Sequence, residues 1–179
     1  MMLSNNLLLW AVLSHAATAA PSDWVDPVTP EEARTVRAMG DRQLQLVFSD
    51  EFEDAGRTFH DGADTRWTSE DRPGTTNAGL HYYNSSHAVT KDGKLVIQTT
   101  LSKSNWVEHN RETGEQYYFE RNYTSALVST WDKFCFTSGM IEISFQLPGK
   151  ATRGGLWPGT GGMVLEGCSL FFCCGSCIL

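Results

Sequence analysis

The sharpest alternation of apolar and polar residues falls at 140–147. Ile141, Ile143, Phe145 and Leu147 point to one side of an extended backbone, and Glu142, Ser144 and Gln146 to the other, because successive side chains of a strand alternate between its faces. Pro148 and Gly149 end the pattern. Leu44, Leu46 and Phe48 keep the same period of two. Residues 89–97 read as two short strands around Asp92-Gly93, a pair that supplies the positive φ angles of a tight hairpin. Residues 123–131, rich in Thr, Val and aromatics, read as a further strand, with 116–121 pairing near it. Nothing alternates strand with helix, so the pattern predicts an all-β sandwich without βαβ units.

Upstream, a Pro-rich stretch at 21–30 leads into Thr29-Pro30-Glu31-Glu32. Thr as cap, Pro at the first helical position and a following Glu predict a short N-terminal helix running to Met39 and stopped by Gly40. Its apolar face is thin, with Ala33, Val36 and Met39 alone. Further upstream, the apolar run 7–13 precedes Ala17-Thr18-Ala19, a small-x-small cleavage pattern. A signal peptide at 1–19 and passage into the secretory pathway are therefore expected. The run is too short to span a bilayer, which takes about 20 apolar residues. Two sequons, Asn84-Ser85-Ser86 and Asn122-Tyr123-Thr124, agree with a lumenal, N-glycosylated protein.

The 179 residues leave room for one domain, and the formal charge of −7 comes without any basic run. Nucleic acid is excluded as a partner, because phosphate binding needs clustered Lys and Arg. Of five cysteines, four crowd into 168–177 and Cys135 stands apart. No spacing suits a metal, since the C-x₂-C at Cys174 and Cys177 lacks a second half. No metal or cofactor is expected.

Several segments together carry a family resemblance. Leu46-Val47-Phe48-Ser49-Asp50-Glu51-Phe52, Gly56-Arg57-Thr58-Phe59 and Asp92-Gly93-Lys94-Leu95-Val96-Ile97 resemble family 16 glycoside hydrolases. The block from Tyr123-Thr124-Ser125-Ala126-Leu127 through Trp131-Asp132-Lys133-Phe134-Cys135 to Leu147-Pro148-Gly149 is similar to the Kre-type β-glucan synthesis-associated proteins best known from fungi. The resemblance covers 44–158 and ends in Gly155-Leu156-Trp157-Pro158. It implies a concanavalin-like jelly roll whose concave sheet holds a β-glucan chain, and membership of a hydrolase or transglycosylase family acting in cell-wall construction. The chain then divides into a signal peptide at 1–19, a Pro-rich segment with a short helix at 20–43, the sandwich at 44–158 and a divergent Cys-rich tail at 159–179.

A retaining glycosidase needs two carboxyls about 5–5.5 Å apart, one attacking and one exchanging protons. The family supplies them from one Glu-x-Asp-x-Glu strand, which is absent from this sequence. Glu166 is a lone acid, and Glu51 and Glu53, despite their spacing of two, match the structural opening of the domain. No catalytic residue is assigned, and the jelly roll is expected to be incomplete, cut before that strand. For substrate, Trp157 is the first candidate, since an indole face stacks on a pyranose ring; a core role is its alternative. Asn77 is the second, because family 16 enzymes often place Asn and then Glu against the sugar here. Gly79 stands where that Glu would be. Tyr82, Tyr83 and Trp131 read as core packing rather than ligand platform, and His81 and His87 have no relay partner at suitable spacing. The expected partner is β-glucan, either in an inactive member of the enzyme family or in a binding module without chemistry. A truncated gene product is the third reading. Membrane association in the secretory pathway stays open, although the tail has Ser176 where a prenylated Cys would stand.

Overall fold

The computed structural model describes residues 6–11, 23–74, 79–136, 138–150, 152, 154–163 and 169–175. Its regular elements are strands and single 3-10 turns: β1 Asn6–Ala11, β2 Thr35–Arg37, β3 Gln43–Asp50, β4 Thr68–Ser69, β5 Arg72–Pro73, β6 His81–Tyr83, β7 Ala88–Thr90, β8 Leu95–Ile97, β9 Thr100–His109, β10 Gln116–Ser125, β11 Leu127–Ser129, β12 Met140–Ser144, β13 Trp157–Met163 and β14 Ser169–Gly175. The all-β class expected from the sequence is what the structure shows.

Three four-stranded sheets run β12-β1-β3-β2, β5-β6-β10-β9 and β13-β14-β11-β4, and β7 pairs with β8. All these pairings are antiparallel except β6 with β10. Phe48 of β3, Leu95 and Ile97 of β8 and Val128 of β11 meet in one core with Phe52, Phe59, Trp67, Ala88 and Ala126. Ile141 and Ile143 of β12 pack on that core. The strands therefore turn their apolar sides toward a shared interior, which is where burial of hydrocarbon stabilises the fold.

The hairpin is as expected. β7 and β8 are antiparallel, Lys91 N donates to Lys94 O at 2.9 Å, and Asp92 and Gly93 carry φ of 54° and 66°. The strand at 140–147 ends early, at Ser144, and Phe145 and Leu147 of its apolar side lie exposed. The division of 116–131 also differs. Residues 116–125 form a single strand with a bulge between Arg121 and Tyr123, and its antiparallel partner is β9. β11 is a separate strand beyond the fully buried Ala126.

The short N-terminal helix is corrected to one four-residue 3-10 turn, Glu31–Arg34, followed by β2 on the edge of β3. Thr29 does not cap it: its hydroxyl pairs with Ser49 Oγ and donates to Glu51 Oε1, both at 2.8 Å. With Met39 exposed and the cap engaged elsewhere, the β-branched Thr35 and Val36 extend along Leu44 and Gln45 instead. The apolar run marked as a targeting segment supplies β1, inserted between β3 and β12.

Candidate functional site

The site is built on a buried ionic anchor. Asp50 ends β3 with no exposed surface, and Arg57 grips both of its oxygens at 2.8 Å while Trp67 Nε1 donates to Oδ2 at 2.8 Å. Arg57 also donates to Asp64 Oδ2 at 2.8 and 3.0 Å. Burial works against the guanidinium charge, but hydrogen bonds and the charges of Asp50 and Asp64 outweigh it and raise the Arg57 pKa. The other Asp64 oxygen accepts from the backbone of Arg66 and Trp67, both at 2.9 Å, which shapes the loop that places Trp67 in the core.

Lys133 closes the anchor from the other half of the chain. Its ammonium donates to the carbonyls of Asp64 at 2.6 Å and Trp67 at 2.7 Å. A tight turn makes this possible, since Lys133 N and Phe134 N both donate to Thr130 O. The turn sends Lys133 inward, Phe134 against Phe48 with centroids 4.6 Å apart, and Trp131 outward. The segments 46–52 and 123–149, which both carry the resemblance, thus meet in space through Phe48 and Phe134, with Lys133 fastening the Trp67 loop beside them.

Beside this anchor lies an open cleft of about 610 Å³, lined among others by Asp61, Glu70, Asp71, Arg72, Trp131 and Asp132. Its floor is the β4–β11 pairing, reinforced by Ser69 Oγ donating to Leu127 O at 2.9 Å. Trp131, 47% exposed, forms a wall. Two of the carboxylates are engaged: Glu70 with the Arg72 guanidinium, and Asp71 with Ser85 N and Oγ at 2.7 and 3.0 Å. The cleft offers one indole face and a rim of polar groups, a combination suited to a neutral polyhydroxylated ligand.

The sequence candidates are not gathered here. Trp157 opens β13 opposite Gly175 and is 53% exposed. Ser129, which leads into Trp131, lies opposite Phe171 on the same central strand, so about four residues or roughly 13 Å of strand separate their levels. Asn77 and Glu166 lie outside the described residues. At Gly79 a Cβ would stand 2.6 Å from Gly74 O, so the Glu expected from family 16 has no room. Asn84 caps the Ser85–His87 turn, its Oδ1 accepting from Ser86 N at 2.9 Å and Ser86 Oγ at 2.6 Å. Asn122 is exposed at the β10 bulge.

Glu51 and Glu53 stay outside the cleft. Glu51 is bonded to Thr29, and its pKa is raised by burial, against the Thr29 bond, with the charges of Asp26, Asp50 and Glu53 adding to the rise. Glu53 lies against Gly93. Of the aromatics read as core, Tyr83 is buried, Tyr82 is half-buried and Trp131 is a cleft wall. The signal for Trp131 was its place directly before Asp132-Lys133, in a turn and not on an alternating strand. Cys135, which stood apart in the sequence, is disulfide-bonded.

An all-β scaffold carrying an aromatic-walled polar cleft is the class that fold and site define. The profile of the SKN1/KRE6/Sbg1 beta-glucan synthesis-associated proteins matches residues 8–167, and the chain belongs to that family. It is 36% identical over 142 residues to the beta-glucan synthesis-associated protein KRE6 of Saccharomyces cerevisiae, covering 79% of this chain and 18% of that protein. With SKN1 of the same yeast it shares 36% over 135 residues, 75% of this chain and 16% of the relative. With SKN1 of Candida albicans it shares 31% over 142 residues, 79% and 17%. The chain thus spans less than a fifth of the length of these curated relatives. Among solved structures, the endo-beta-1,3-glucanase of Pyrococcus furiosus aligns with a TM-score of 0.42 and 24% identity over 59% of this chain and 37% of that one.

Proposed function

We propose that this chain binds β-glucan without cleaving or transferring it, and serves cell-wall glucan assembly from within the secretory pathway. The observation that carries the reading is the Trp131 cleft, an indole wall set among polar groups, where Glu70 and Asp71 are tied to Arg72 and Ser85 and the remaining carboxylates, Asp61 and Asp132, are not part of any Glu-x-Asp-x-Glu strand. An indole face with polar neighbours suits a pyranose, whereas hydrolysis needs two converging carboxyls free to attack and to exchange a proton. The sequence also lacks a Glu-x-Asp-x-Glu strand. Trp157, and Asn77 by its resemblance, are further contacts in this reading.

Access to the secretory pathway rests on the apolar run 7–13 with Ala17-Thr18-Ala19, and N-glycosylation on Asn84 and Asn122. Among the described residues no helix is long and apolar enough to cross a membrane.

The test is to incubate the purified chain with laminarin, a β-1,3 glucan, and pustulan, a β-1,6 glucan. Co-sedimentation or a calorimetric binding signal is expected, weakened in Trp131→Ala, with no new reducing ends. Turnover above a heat-killed control would refute the non-catalytic reading, and absence of binding to both polymers would refute the function. Glycosidase digestion after expression in a secretory host checks the route, where an unchanged gel mobility would count against it.

A further inference from the structure

We infer that the Trp106 face of the β9–β10 hairpin is a second contact surface for the same β-glucan chain, extending the Trp131 cleft along the protein; this rests on the glucan-binding reading above. Trp106 stands directly opposite Phe119, so the two side chains share a face. Their rings stack at 5.4 Å and 16°, and Tyr82 of β6 adds a third ring 5.4 Å from Trp106. Phe119 is 37% exposed, and Trp106 and Tyr82 are half-buried. Three partly open rings thus cross three strands as a continuous apolar platform.

The same face carries hydroxyls. Ser104 lies opposite Arg121, and its Oγ pairs with Thr124 Oγ1 at 3.0 Å, while Thr100 and Ser102 pair at 2.9 Å. Charged groups border the rings. Trp106 Nε1 donates to Glu108 at 2.8 Å, the Arg121 guanidinium lies 5.5 Å from the Trp106 ring centre, and on the opposite face Lys103 meets Glu120 at 3.0 Å. A surface of clustered aromatic rings flanked by hydroxyls fits a sugar polymer, whose apolar ring faces and hydroxyl groups match both.

Continuity with the cleft selects a long chain over a short one. Arg72 and Asp71 line the cleft, and Pro73, the next residue of β5, lies opposite Tyr82. One polymer would run from Trp131 over the β5 edge, passing from the Arg72 side of the sheet to the Tyr82 side, to reach Trp106 and Phe119.

The test uses the whole 179-residue chain, with laminarin as the long ligand and laminaritriose as the short one, comparing wild type, Trp131→Ala and the double variant Trp106→Ala/Phe119→Ala. The expected result is a roughly tenfold loss of laminarin affinity in the double variant, the scale of an aromatic contact, with laminaritriose binding unchanged. Trp131→Ala should weaken both ligands. If wild type binds laminarin and the folded double variant binds it equally well, the platform is overturned while the function stands. If wild type binds neither ligand, both fall. Should the double variant fail to fold, Phe119→Ser alone carries the comparison, because that ring is already open to solvent. A wild-type dimer that the Phe119 substitution dissociates would assign the face to a second copy of the chain and overturn the inference.

Discussion

Arg57 holds Asp50 in a two-pronged ion pair, both bonds at 2.8 Å, at the point where β3 leaves the sheet. The pair joins the start of the domain to the Trp67 loop, and Lys133 fastens that loop to the turn bearing Trp131. Removing the guanidinium leaves Asp50 buried and uncompensated, which costs about 3–5 kcal/mol for a pair of this kind. Arg57→Met should therefore lower the melting temperature by roughly 10 °C, at about 2–4 °C per kcal/mol for this size. A double variant that also replaces Asp50 with Leu should recover part of the loss, because the fully buried stranded charge is gone and Asp64 keeps the backbone donors of Arg66 and Trp67. A thermal melt reads both, and a shift within error for Arg57→Met would show that Trp67 and backbone donors satisfy Asp50 alone.

Glu51 gives the opposite sign. Its side chain is bonded to Thr29, and its pKa lies above the usual carboxylate value of 4.5 through burial and the neighbouring Asp26, Asp50 and Glu53. The folded state therefore holds this proton more tightly than the unfolded chain does. Its stabilising contribution is complete below the unfolded pKa and is lost as pH rises through the folded one. Glu51→Gln keeps an acceptor for Thr29 and removes the ionisation. It should melt higher than wild type at pH 7, and the gap should close as pH falls toward about 4.5. A gap independent of pH would locate the effect elsewhere.

Local chemistry was legible in the sequence, and long-range partnership was not. Asp92-Gly93 fixed its hairpin because the requirement for positive φ is met within two residues. The alternation at 140–144 likewise showed its face, but not its end, since the exposure of Phe145 and Leu147 depends on what lies opposite. Thr29 misled because a hydroxyl ahead of Pro30-Glu31 looks like a cap, while its partners, Ser49 and Glu51, are some twenty residues away. β9 went unseen for a related reason: most of its residues face solvent on both sides, so no alternation marks it. Trp131 was hidden by being read as part of a strand.

Gly79 tests whether the acid that the resemblance implies at this position could be accommodated. Its Cβ position lies 2.6 Å from Gly74 O, and that oxygen belongs to backbone, which cannot swing aside as a side chain would. Restoring the family acid with Gly79→Glu should therefore strain the β5–β6 connection and not create a subsite. Overpacking of this kind costs about 1–3 kcal/mol, so the melting temperature should fall and laminarin affinity should not rise. Gly79→Ala should show most of the same loss, since the clash begins at Cβ. A variant that binds laminarin more tightly at unchanged stability would show that the segment opens readily.

The last prediction concerns β1, because the apolar run that resembles a targeting segment also lies within the sheet. β1 pairs with β12 from Asn6↔Ser144 to Trp10↔Met140 and with β3 from Leu7↔Asp50 to Ala11↔Gln45, five residue pairs on each side. A chain beginning at Ala20 loses both ladders at once. β3 and β12 are then left with bare edges, and the backbone groups that β1 satisfied must find water or a wrong partner. Intramolecular hydrogen bonds contribute about 0.5–1.5 kcal/mol each, so losing even three at mid-range removes about 3 kcal/mol. For a domain of this size that is roughly 6–12 °C in melting temperature. The shortened chain should also associate more readily, since unpaired strand edges template pairing with other molecules. Side-by-side melts and size-exclusion profiles of the whole chain and the chain from Ala20 decide the point. Equal melting temperatures and monomeric profiles would mean that β3 and β12 close on each other without β1, and that the run can leave as a signal peptide at no cost to the fold.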